Sequence, residues 1–219
     1  ERRSCHPRPA MQPLPEILTR AVIPAGVRSV HDRLLAAGHE AWLVGGGVRD
    51  LLRGGHPKDW DVATDAVPEQ VVKLFRRVVP TGIAHGTVTV LVPGGHVEVT
   101  TFRAESAYVD GRRPGSVAFH RDLVADLARR DFTINALAFD PVGGRFADPF
   151  GGQEDLARRR VRCVGVAAER FGEDGLRPLR AVRFATVLEF ELDPETEAAI
   201  PGALAVFDKV ALERRREEL

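Results

Sequence analysis

Two aspartates separated by one residue, Asp59 and Asp61, carry the clearest chemical signal in this sequence. They stand in a strand-like run, residues 58–63, and alternate side chains of a strand point to the same face. Two neighbouring carboxylates repel each other unless a cation neutralises them, and their hard oxygen atoms suit Mg²⁺. We therefore predict a magnesium site for phosphoryl transfer, with Asp59 and Asp61 as metal ligands and catalytic residues. The pair taken alone is also compatible with a solvated strand edge or a turn.

A glycine-rich turn precedes the aspartates. Gly45, Gly46 and Gly47 follow the apolar run 42–44 and precede two leucines, a pattern that predicts a strand-to-helix turn. Backbone amides at such a turn can hold a phosphate. The turn matches neither a P-loop, which needs Gly-Lys-Ser/Thr, nor the complete dinucleotide-binding fingerprint. A tight packing turn is the alternative interpretation.

A third acidic side chain, Glu98, lies among β-branched residues in another strand-like run. If Glu98 faces the same side of the sheet as Asp59 and Asp61, the three carboxylates form a catalytic triad. The alternative is an exposed acid on an edge strand.

A segment that begins at Arg129 combines guanidinium, carboxylate and amide groups within seven residues. Arginine side chains suit a triphosphate, while aspartate and asparagine suit ribose hydroxyls, so Arg130, Asp131 and Asn135 are candidate nucleotide-binding residues. The alternative is that Arg130 forms an ordinary surface ion pair with Asp126, four residues earlier.

A second charged segment follows helical spacing: Glu173, Asp174, Arg177, Arg180 and Arg183. It predicts a helix over residues 173–188 that begins or bends near Pro178. Asp174 and Arg177 on one face could present donors and acceptors to the edge of a base. A solvated charged helix is the alternative.

The runs around these residues predict an α+β fold with a mixed, partly antiparallel sheet. Strand-like runs occupy residues 41–44, 58–63, 87–92, 96–102 and 134–139, and a helical run occupies residues 68–77. The turn signal Pro-Gly-Gly at 93–95 joins two of these runs and predicts an antiparallel hairpin. Residues 103–119 have little periodicity and carry two turn signals, so we predict a mobile loop there.

The β signal thins after Asp148, and helical runs occupy residues 153–159, 173–188, 194–200 and 203–218. We therefore predict two domains, a head over residues 11–148 and a helical domain over residues 149–219. Residues 1–10 lack the apolar core of a secretory signal and are left out of this division. They are a tag, an upstream extension or a mobile tail.

The composition is that of an ordinary folded protein. No apolar run approaches the roughly 18 residues of a membrane span, so we predict no membrane association. Two distant cysteines, Cys5 and Cys163, argue against a disulfide framework and a cysteine zinc site, and they fit a cytoplasmic location. Because 31 basic side chains balance 31 acidic ones, the total charge does not indicate nucleic-acid binding, although the arginines are clustered.

The chain resembles the bacterial class II tRNA nucleotidyltransferases over about residues 42–190. This family includes CCA-adding, CC-adding and A-adding enzymes and bacterial poly(A) polymerases. The resemblance rests on these motifs in this order: Gly-Gly-Val-Arg-Asp at 46–50, Asp-x-Asp at 59–61, His-Gly-Thr-Val at 85–88, Glu-Val-Thr-Thr-Phe-Arg at 98–103, Arg-Arg-Asp-Phe-Thr-Ile-Asn-Ala at 129–136, Asp-Pro-Phe-Gly-Gly at 148–152 and Arg-Phe-x-Glu-Asp-x-x-Arg-x-x-Arg-Ala-x-Arg-Phe at 170–184.

The resemblance implies a polymerase-β-like nucleotidyltransferase head followed by an all-helical neck. Asp59 and Asp61 would bind Mg²⁺, and the glycine turn at Gly46 and Gly47 would face the triphosphate together with Arg49. The remaining nucleotide-binding residues fall into two groups. Phosphate or sugar would be contacted by Arg130, Asp131 and Asn135, and the base edge of CTP or ATP would be read by Asp174 and Arg177, with Arg180 and Arg183 beside them.

The implied reaction is template-independent addition of nucleotides from CTP and ATP to the 3′ end of tRNA, with release of pyrophosphate. His-Gly-Thr-Val at 85–88 and the loop at 110–114 favour a tRNA enzyme over a poly(A) polymerase. A poly(A) polymerase, a CC-only or A-only enzyme, and a non-catalytic RNA- or nucleotide-binding module are the alternatives. Since members of the family usually continue through domains that hold the tRNA, we expect this chain to be a truncated form or fragment.

Overall fold

A computed structural model of the protein describes residues 12–83, 86–105, 108–109, 113–114, 117–119 and 122–219. Within these ranges the helices are α1 (Glu16–Thr19), α2 (Ala25–Ala36), α3 (Gly46–Leu52), α4 (Pro68–Leu74), α5 (Leu123–Ala128), α6 (Gly152–Ala157), α7 (Ala167–Glu173), α8 (Arg177–Leu188), α9 (Pro194–Ala199), α10 (Leu204–Phe207) and α11 (Leu212–Glu218). Thr133–Asn135 and Pro201–Ala203 each form one turn of 3₁₀-helix.

The strands of the same ranges form one large sheet and three two-stranded ladders. They are β1 (Ala41–Val44), β2 (Asp61–Thr64), β3 (Val78–Gly82), β4 (Thr87–Val92), β5 (Gly95–Thr101), β6 (Arg103–Glu105), β7 (Tyr108–Val109), β8 (Arg113–Pro114), β9 (Val117–Phe119), β10 (Ala138–Asp140), β11 (Arg145–Ala147), β12 (Arg160–Val161) and β13 (Glu191–Leu192). The large sheet has the order β11-β10-β1-β2-β5-β4-β3. Only its β2–β5 pair is parallel, so the predicted mixed, partly antiparallel sheet is confirmed.

Both faces of the sheet are covered, and the alternation of side chains along its strands explains why. Leu43 of β1 and Val62 of β2 point into a core that also contains residues of α2 and α3. Their neighbours Trp42 and Ala63 point into a second core, which contains Leu127 of α5. Successive strand residues face opposite sides of a sheet, so a central strand buried on both faces has no polar side.

A third core lies in the helical part of the chain. It is built from α7, α8 and their neighbours around Phe171 and Phe184, and it also takes in Phe132 and Ile134 from the segment before β10. The predicted helical region that follows the sheet is therefore confirmed, and it shares apolar contacts with the segment that leads into β10. The prediction that this region is all-helical is wrong, because β12 and β13 pair within it as a two-stranded parallel ladder.

Two of the predicted strands are wrong in their bounds. The run at 58–63 becomes a strand only at Asp61, because β1 ends opposite it at Val44 and the chain then turns into α3. The run at 134–139 begins as 3₁₀-helix, since Asn135 N and Ala136 N donate to carbonyls three residues back. By contrast, the bounds of β1 and β4 and the β4–β5 hairpin are confirmed.

The predicted helices are confirmed in place but are shorter or broken. The helix predicted over 68–77 ends at Leu74 and is followed by β3, and the one predicted over 203–218 is split into α10 and α11. The helix predicted over 173–188 begins at Arg177 with Pro178 in its first turn, which agrees with the predicted break. None of the helices in the described ranges is both long enough and apolar enough to span a bilayer.

The loop predicted over residues 103–119 contains more regular structure than expected. In its described residues, β6 pairs with β9 and β7 pairs with β8, both antiparallel. The prediction of an irregular segment is therefore wrong for these residues, because the ends of the segment pair with each other. Residues 110–112 of the Asp-Gly-Arg-Arg-Pro motif and His85 of the His-Gly-Thr-Val motif lie outside the described residues.

Candidate active site

A polar cavity of about 330 Å³ opens beside the sheet, between the first residues of β2 and the start of α8. It is lined by Val44, Asp61, Thr87, Glu98, Thr100, Arg103, Arg129, Arg130, Asp131, Asp174, Arg177 and Arg180. The lining mixes carboxylates with guanidiniums, and we call the part formed by Asp61 of β2 and Glu98 of β5 its acidic end. Such a wall complements a ligand that has both a metal-bound triphosphate and a polar base.

Asp61 and Glu98 stand opposite each other at the acidic end of the cavity. They are partners in the parallel register of β2 and β5, so their side chains leave the same face of the sheet. Burial raises the pKa of Asp61 above its usual value, Arg130 opposes the shift, and the charges of Glu98 and Asp59 add to it. A carboxylate whose pKa is raised in this way is neutralised either by a proton or by a bound cation.

Asp59 is not placed as the sequence predicted. It precedes β2, is exposed, and does not line the cavity, while Trp60 between the two aspartates is buried. The ladder with β5 reaches only as far as the carbonyl of Trp60, which accepts from Glu98 N at 3.1 Å. Asp59 therefore has no strand geometry to fix its face, although its charge still acts on Asp61.

The carboxylate triad of Asp59, Asp61 and Glu98 stays a prediction, and only Asp61 and Glu98 of the three line the cavity. Among the residues that the structure describes, no three acidic, histidine or cysteine side chains stand close enough to hold one ion. The alternative for Glu98 was an exposed acid on an edge strand, and it is confirmed for the exposure but wrong for the position of the strand. Glu98 is exposed, but β5 lies between β2 and β4 and is not an edge.

Gly45 is the glycine that touches the site, although it was not among the predicted site residues. It adopts φ 73° and ψ −140°, a conformation open to glycine and strained for other residues. A Cβ atom at Gly45 would stand 2.8 Å from Arg130 Nη1 and 3.3 Å from Asp61 Oδ2. Gly46 and Gly47 instead form the first turn of α3 and do not line the cavity.

Arg49 and Asn135 lie behind the cavity wall. Arg49 Nε donates to Asp50 Oδ1 at 2.9 Å, and Arg49 Nη1 donates to Asn135 Oδ1 at 2.8 Å. The amide of Asn135 in turn donates to Asp131 Oδ1 at 3.0 Å. The two predicted nucleotide-binding residues thus hold the glycine turn and the segment before β10 together.

Arg130 lines the cavity, and its predicted partner is buried. Asp126 is completely buried and pairs with Arg129 Nη2 at 2.8 Å and with Arg130 Nη2 at 3.5 Å. The alternative of an ordinary surface pair is therefore wrong. A buried carboxylate pairs with two arginines that line the cavity, and one of them, Arg130, acts on the charge of Asp61.

Asp131 is held by hydrogen bonds on both carboxylate oxygens. Its Oδ1 accepts from Phe132 N at 2.7 Å, and its Oδ2 accepts from Arg180 Nε at 2.8 Å. Burial would raise the pKa of Asp131, but the Arg180 charge and these hydrogen bonds outweigh burial and lower it. Asp131 therefore stays ionised and ties the sheet side of the cavity to α8.

Asp174 and Arg177 both line the cavity, but they do not share one helix. Asp174 follows the last residue of α7, and its Oδ1 accepts from Leu176 N at 3.0 Å just before α8 begins. Arg177 is buried, donating to Glu173 Oε2 at 2.6 Å and to Arg129 O at 3.1 Å. The turn between the helices therefore brings the two side chains to the same wall.

Arg180 and Arg183 lie one and two turns further along α8. Arg180 lines the cavity and bonds Asp131, whereas Arg183 does not line it and bonds Glu218. Both guanidiniums, together with that of Arg49, lie over the ring of Phe184, at 5.3, 4.4 and 5.3 Å for Arg180, Arg183 and Arg49 respectively. Phe184 was not predicted as a site residue, and only the arginine spacing around it could have indicated its place.

The structure thus brings together seven of the predicted site residues in one cavity lining: Asp61, Glu98, Arg130, Asp131, Asp174, Arg177 and Arg180. It leaves the others outside that lining: Asp59, Gly46, Gly47, Arg49, Asn135 and Arg183. Thr87 and Thr100 were missed as lining residues, and the hairpin register that pairs them could have identified them.

A sequence model of the "Poly A polymerase head domain" family matches residues 41–162, which is more than half of the chain. The chain belongs to this family. The membership confirms the predicted resemblance to bacterial class II nucleotidyltransferases and poly(A) polymerases, and it covers the sheet and the cavity residues from β1 to β12.

Individual relatives extend the likeness across the helical region. A CCA-adding enzyme of Lactobacillus johnsonii is 49% identical over 205 residues, which are 94% of this chain and 50% of that protein. The crystal structure of the Bacillus stearothermophilus CCA-adding enzyme in complex with CTP aligns with a TM-score of 0.80 at 45% identity, over 87% of this chain and 46% of that one. The Thermotoga maritima CCA-adding enzyme complexed with tRNA aligns with a TM-score of 0.76 at 25% identity, over 95% and 49%. The chain therefore spans about half the length of the relatives it matches.

Proposed function

We propose that this chain is the nucleotide-binding and catalytic part of an enzyme that adds nucleotides from CTP and ATP to the 3′ end of tRNA. The observation that carries the proposal is the cavity itself, in which Asp61 and Glu98 face Arg130, Asp131 and the residues at the start of α8. Its polarity matches a nucleoside triphosphate, and the aligned relatives are CCA-adding enzymes. The cytoplasm, where bacterial tRNA and both nucleotides occur, is the proposed location.

In this reaction the 3′-hydroxyl of the RNA attacks the α-phosphorus of the bound nucleotide. A new phosphate ester bond forms, the bond between the α- and β-phosphates breaks, and pyrophosphate leaves. We assign Arg130 to the phosphates because its guanidinium faces the acidic end of the cavity and is held there by Asp126. Arg49 and Asn135 support this arrangement from behind by fixing the glycine turn.

The acidic end of the cavity fits Mg²⁺. Mg²⁺ is typically bound by one or two carboxylates, with substrate phosphates and water as its other ligands. Asp61, desolvated and crowded by the charges of Glu98 and Asp59, is the proposed principal ligand, with Asp59 as the second. When bound there, the ion supplies activation of the attacking hydroxyl and stabilisation of the departing phosphate charge. Glu98 acts as a nearby catalytic carboxylate.

Asp174 and Arg177 are the proposed readers of the base edge. They line the cavity wall away from Asp61, and together they offer carboxylate acceptors and guanidinium donors. Arg177 is fixed by Glu173 and the carbonyl of Arg129, which sets its orientation before a base arrives. Arg180 and Arg183 complete this nucleotide-binding side.

For the domain division we propose a head over residues 11–148 and a neck over residues 149–219. The first two cores support the head, and the third core supports the neck. Because Phe132 and Ile134 join the third core, the two parts should move as coupled bodies rather than as independent ones.

The test is a product ladder made by the full-length protein with Mg²⁺ and tRNA that lacks its terminal CCA. CTP alone, ATP alone and both nucleotides are supplied in separate reactions. Addition of CCA with both nucleotides supports the proposal, whereas long A tails without CTP use would establish a poly(A) polymerase. Products that stop after two C residues or contain only one A identify the CC-adding and A-adding alternatives.

The metal assignment is tested with Asp61→Asn, compared with Asp208→Asn at an exposed position of the same residue type. We expect Asp61→Asn to lose at least roughly 100-fold in rate and Asp208→Asn to match the unmodified protein. Undiminished addition by the Asp61 variant would refute the metal assignment. Nucleotide binding without any product from the unmodified protein would favour a non-catalytic binding module.

A further inference from the structure

Glu218 of α11 receives two arginines from α8 and has no part in the reaction described above. Its Oε2 accepts from Arg180 Nη1 at 3.0 Å, and its Oε1 accepts from Arg183 Nε at 2.5 Å. The Glu218 side chain is only 10% exposed, so solvent screens these pairs weakly. The adjacent Glu217 is exposed. Glu218 is therefore the acidic residue of α11 that holds the arginines of α8.

Arg180 is fixed at both ends by carboxylates. Its Nε donates to Asp131 Oδ2 at 2.8 Å and its Nη2 lies 2.7 Å from the same oxygen, while its Nη1 donates to Glu218 Oε2. A guanidinium is planar, so bonds on opposite edges set its rotation as well as its position. Arg180 lines the cavity and Glu218 does not, so Arg180 is the direct link between Glu218 and the cavity wall.

Positively charged side chains crowd around Phe184, and Glu218 offsets part of their charge. Arg49, Arg180 and Arg183 lie over this single ring. The ring attracts each cation, but three guanidiniums so close together repel one another. Glu218 compensates two of them. Consistent with this, burial would lower the pKa of Arg180, but Asp131 and Glu218 together raise it.

We propose that Glu218 is a positioning residue for nucleotide binding, which holds Arg180 in the orientation that completes the cavity wall between Asp131 and Asp174. This inference rests on the proposed function. It assigns to α11 a role in the nucleotide site, although no residue of α11 lines the cavity.

The test compares Glu218→Gln with Glu217→Gln in the full-length protein, using KM and kcat for CTP and ATP. The glutamine in Glu218→Gln keeps the size of the side chain but removes the charge and presents an amide N–H to one arginine. We expect Glu218→Gln to raise both KM values about tenfold and Glu217→Gln to leave them unchanged. The kcat per active site should change by less than about twofold, because the reacting groups are intact. Glu218→Asp, which keeps the charge on a shorter side chain, should give an intermediate KM.

A double-mutant cycle with Arg180→Ala separates positioning from a general structural effect. If Glu218 acts through Arg180, Glu218→Gln adds nothing to the KM of the Arg180→Ala variant. A purely structural role would lower the unfolding temperature and the fraction of active protein while leaving KM unchanged.

The outcomes distinguish this inference from the proposed function. An active unmodified protein whose KM is insensitive to Glu218→Gln, or whose two KM effects add, overturns the positioning role alone. An unmodified full-length protein that adds no nucleotide overturns the proposed function and the positioning role with it. If Glu218→Gln raises KM in the otherwise unmodified protein but not in the Arg180→Ala variant, the result supports both the proposed function and the positioning role.

Discussion

The carboxylate of Asp131 accepts a hydrogen bond from Arg180 Nε at 2.8 Å, and the same oxygen lies 2.7 Å from Arg180 Nη2. The two residues are 49 positions apart, one just after α5 and the other in α8. Both residues line the cavity, so their bond joins the segment after α5 to α8 in its wall. Since Asn135 joins Asp131 to Arg49, the same network reaches the helix that follows the glycine turn.

Replacing Asp131 by asparagine should break this connection. The new amide nitrogen would face the N–H groups of Arg180, so a buried charge-assisted bond would be exchanged for a contact between donors. We expect the free energy of unfolding to fall by about 3 kcal/mol, measured by urea denaturation. Asp208→Asn, at an exposed position, is the matched control and should be neutral. Equal stability of the two variants would contradict a structural bond between Asp131 and Arg180.

The ring of Phe184 should contribute to both stability and nucleotide binding. Phe184→Leu keeps an apolar side chain but removes the surface over which Arg49, Arg180 and Arg183 lie. We expect a loss of about 1–2 kcal/mol in the free energy of unfolding and a rise in the KM for CTP and ATP of roughly tenfold.

Phe207→Leu is the control, because Phe207 also carries an arginine, Arg215 at 4.3 Å, but Arg215 does not line the cavity as Arg180 does. It should lower stability without changing KM. If the two variants have the same KM, the ring of Phe184 serves packing alone.

Acid should destabilise the fold through Asp140, which is buried beneath the sheet edge. Burial would raise the pKa of Asp140, but hydrogen bonds from His31, Gly143 N and Arg145 outweigh it and hold the pKa well below its usual range. A carboxyl whose pKa is lower in the folded state stabilises the fold fully above its unfolded pKa of about 4. That stabilisation is lost as the pH falls through the folded-state pKa.

We therefore expect the free energy of unfolding to decrease between about pH 4 and pH 2, and less steeply for Asp140→Asn. The variant should be less stable than the unmodified protein at pH 7, because His31 and Arg145 lose a charged partner. Urea denaturation at a series of pH values provides the measurement, with Asp208→Asn as a control that should follow the unmodified protein. Parallel pH profiles for all three proteins would rule out Asp140 as a source of acid sensitivity.

The sequence was informative where local pattern and tertiary structure agree. β1 was predicted because it is a continuous apolar run, and the β4–β5 hairpin because alternating β-branched residues and the Pro-Gly-Gly turn specify strand and register locally. Asp61 and Glu98 could be named as candidates, but their pairing depends on the parallel neighbour of β2, which no local pattern specifies. The two-residue periodicity of a strand was wrongly extended to Asp59, whose geometry depends on where β1 ends.

Local spacing carries no information on side chains that bond each other across long separations. Arg49 and Asn135 were expected to face the nucleotide, and both are engaged with each other 86 positions apart. Glu218 was counted only as part of a charged helix, because its two arginines lie on another helix. The spacing of residues within one segment can indicate candidate site residues. It cannot distinguish a residue that contacts the ligand from one that positions another side chain.

Gly45 should be the least replaceable glycine of the turn. In Gly45→Ala, the new Cβ atom would stand 2.8 Å from Arg130 Nη1, and the backbone would keep a conformation with φ 73° that strains alanine.

Gly38 also has a positive φ, of 83°, but a Cβ atom there would meet nothing within 4 Å. Gly38→Ala therefore measures backbone strain without a clash, which we expect to be about 1 kcal/mol in the free energy of unfolding. Gly45→Ala should cost more than this and also displace Arg130 from Asp61, lowering kcat/KM by about 100-fold. Similar kcat/KM for the two alanine variants would show that Arg130 can move without loss of catalysis.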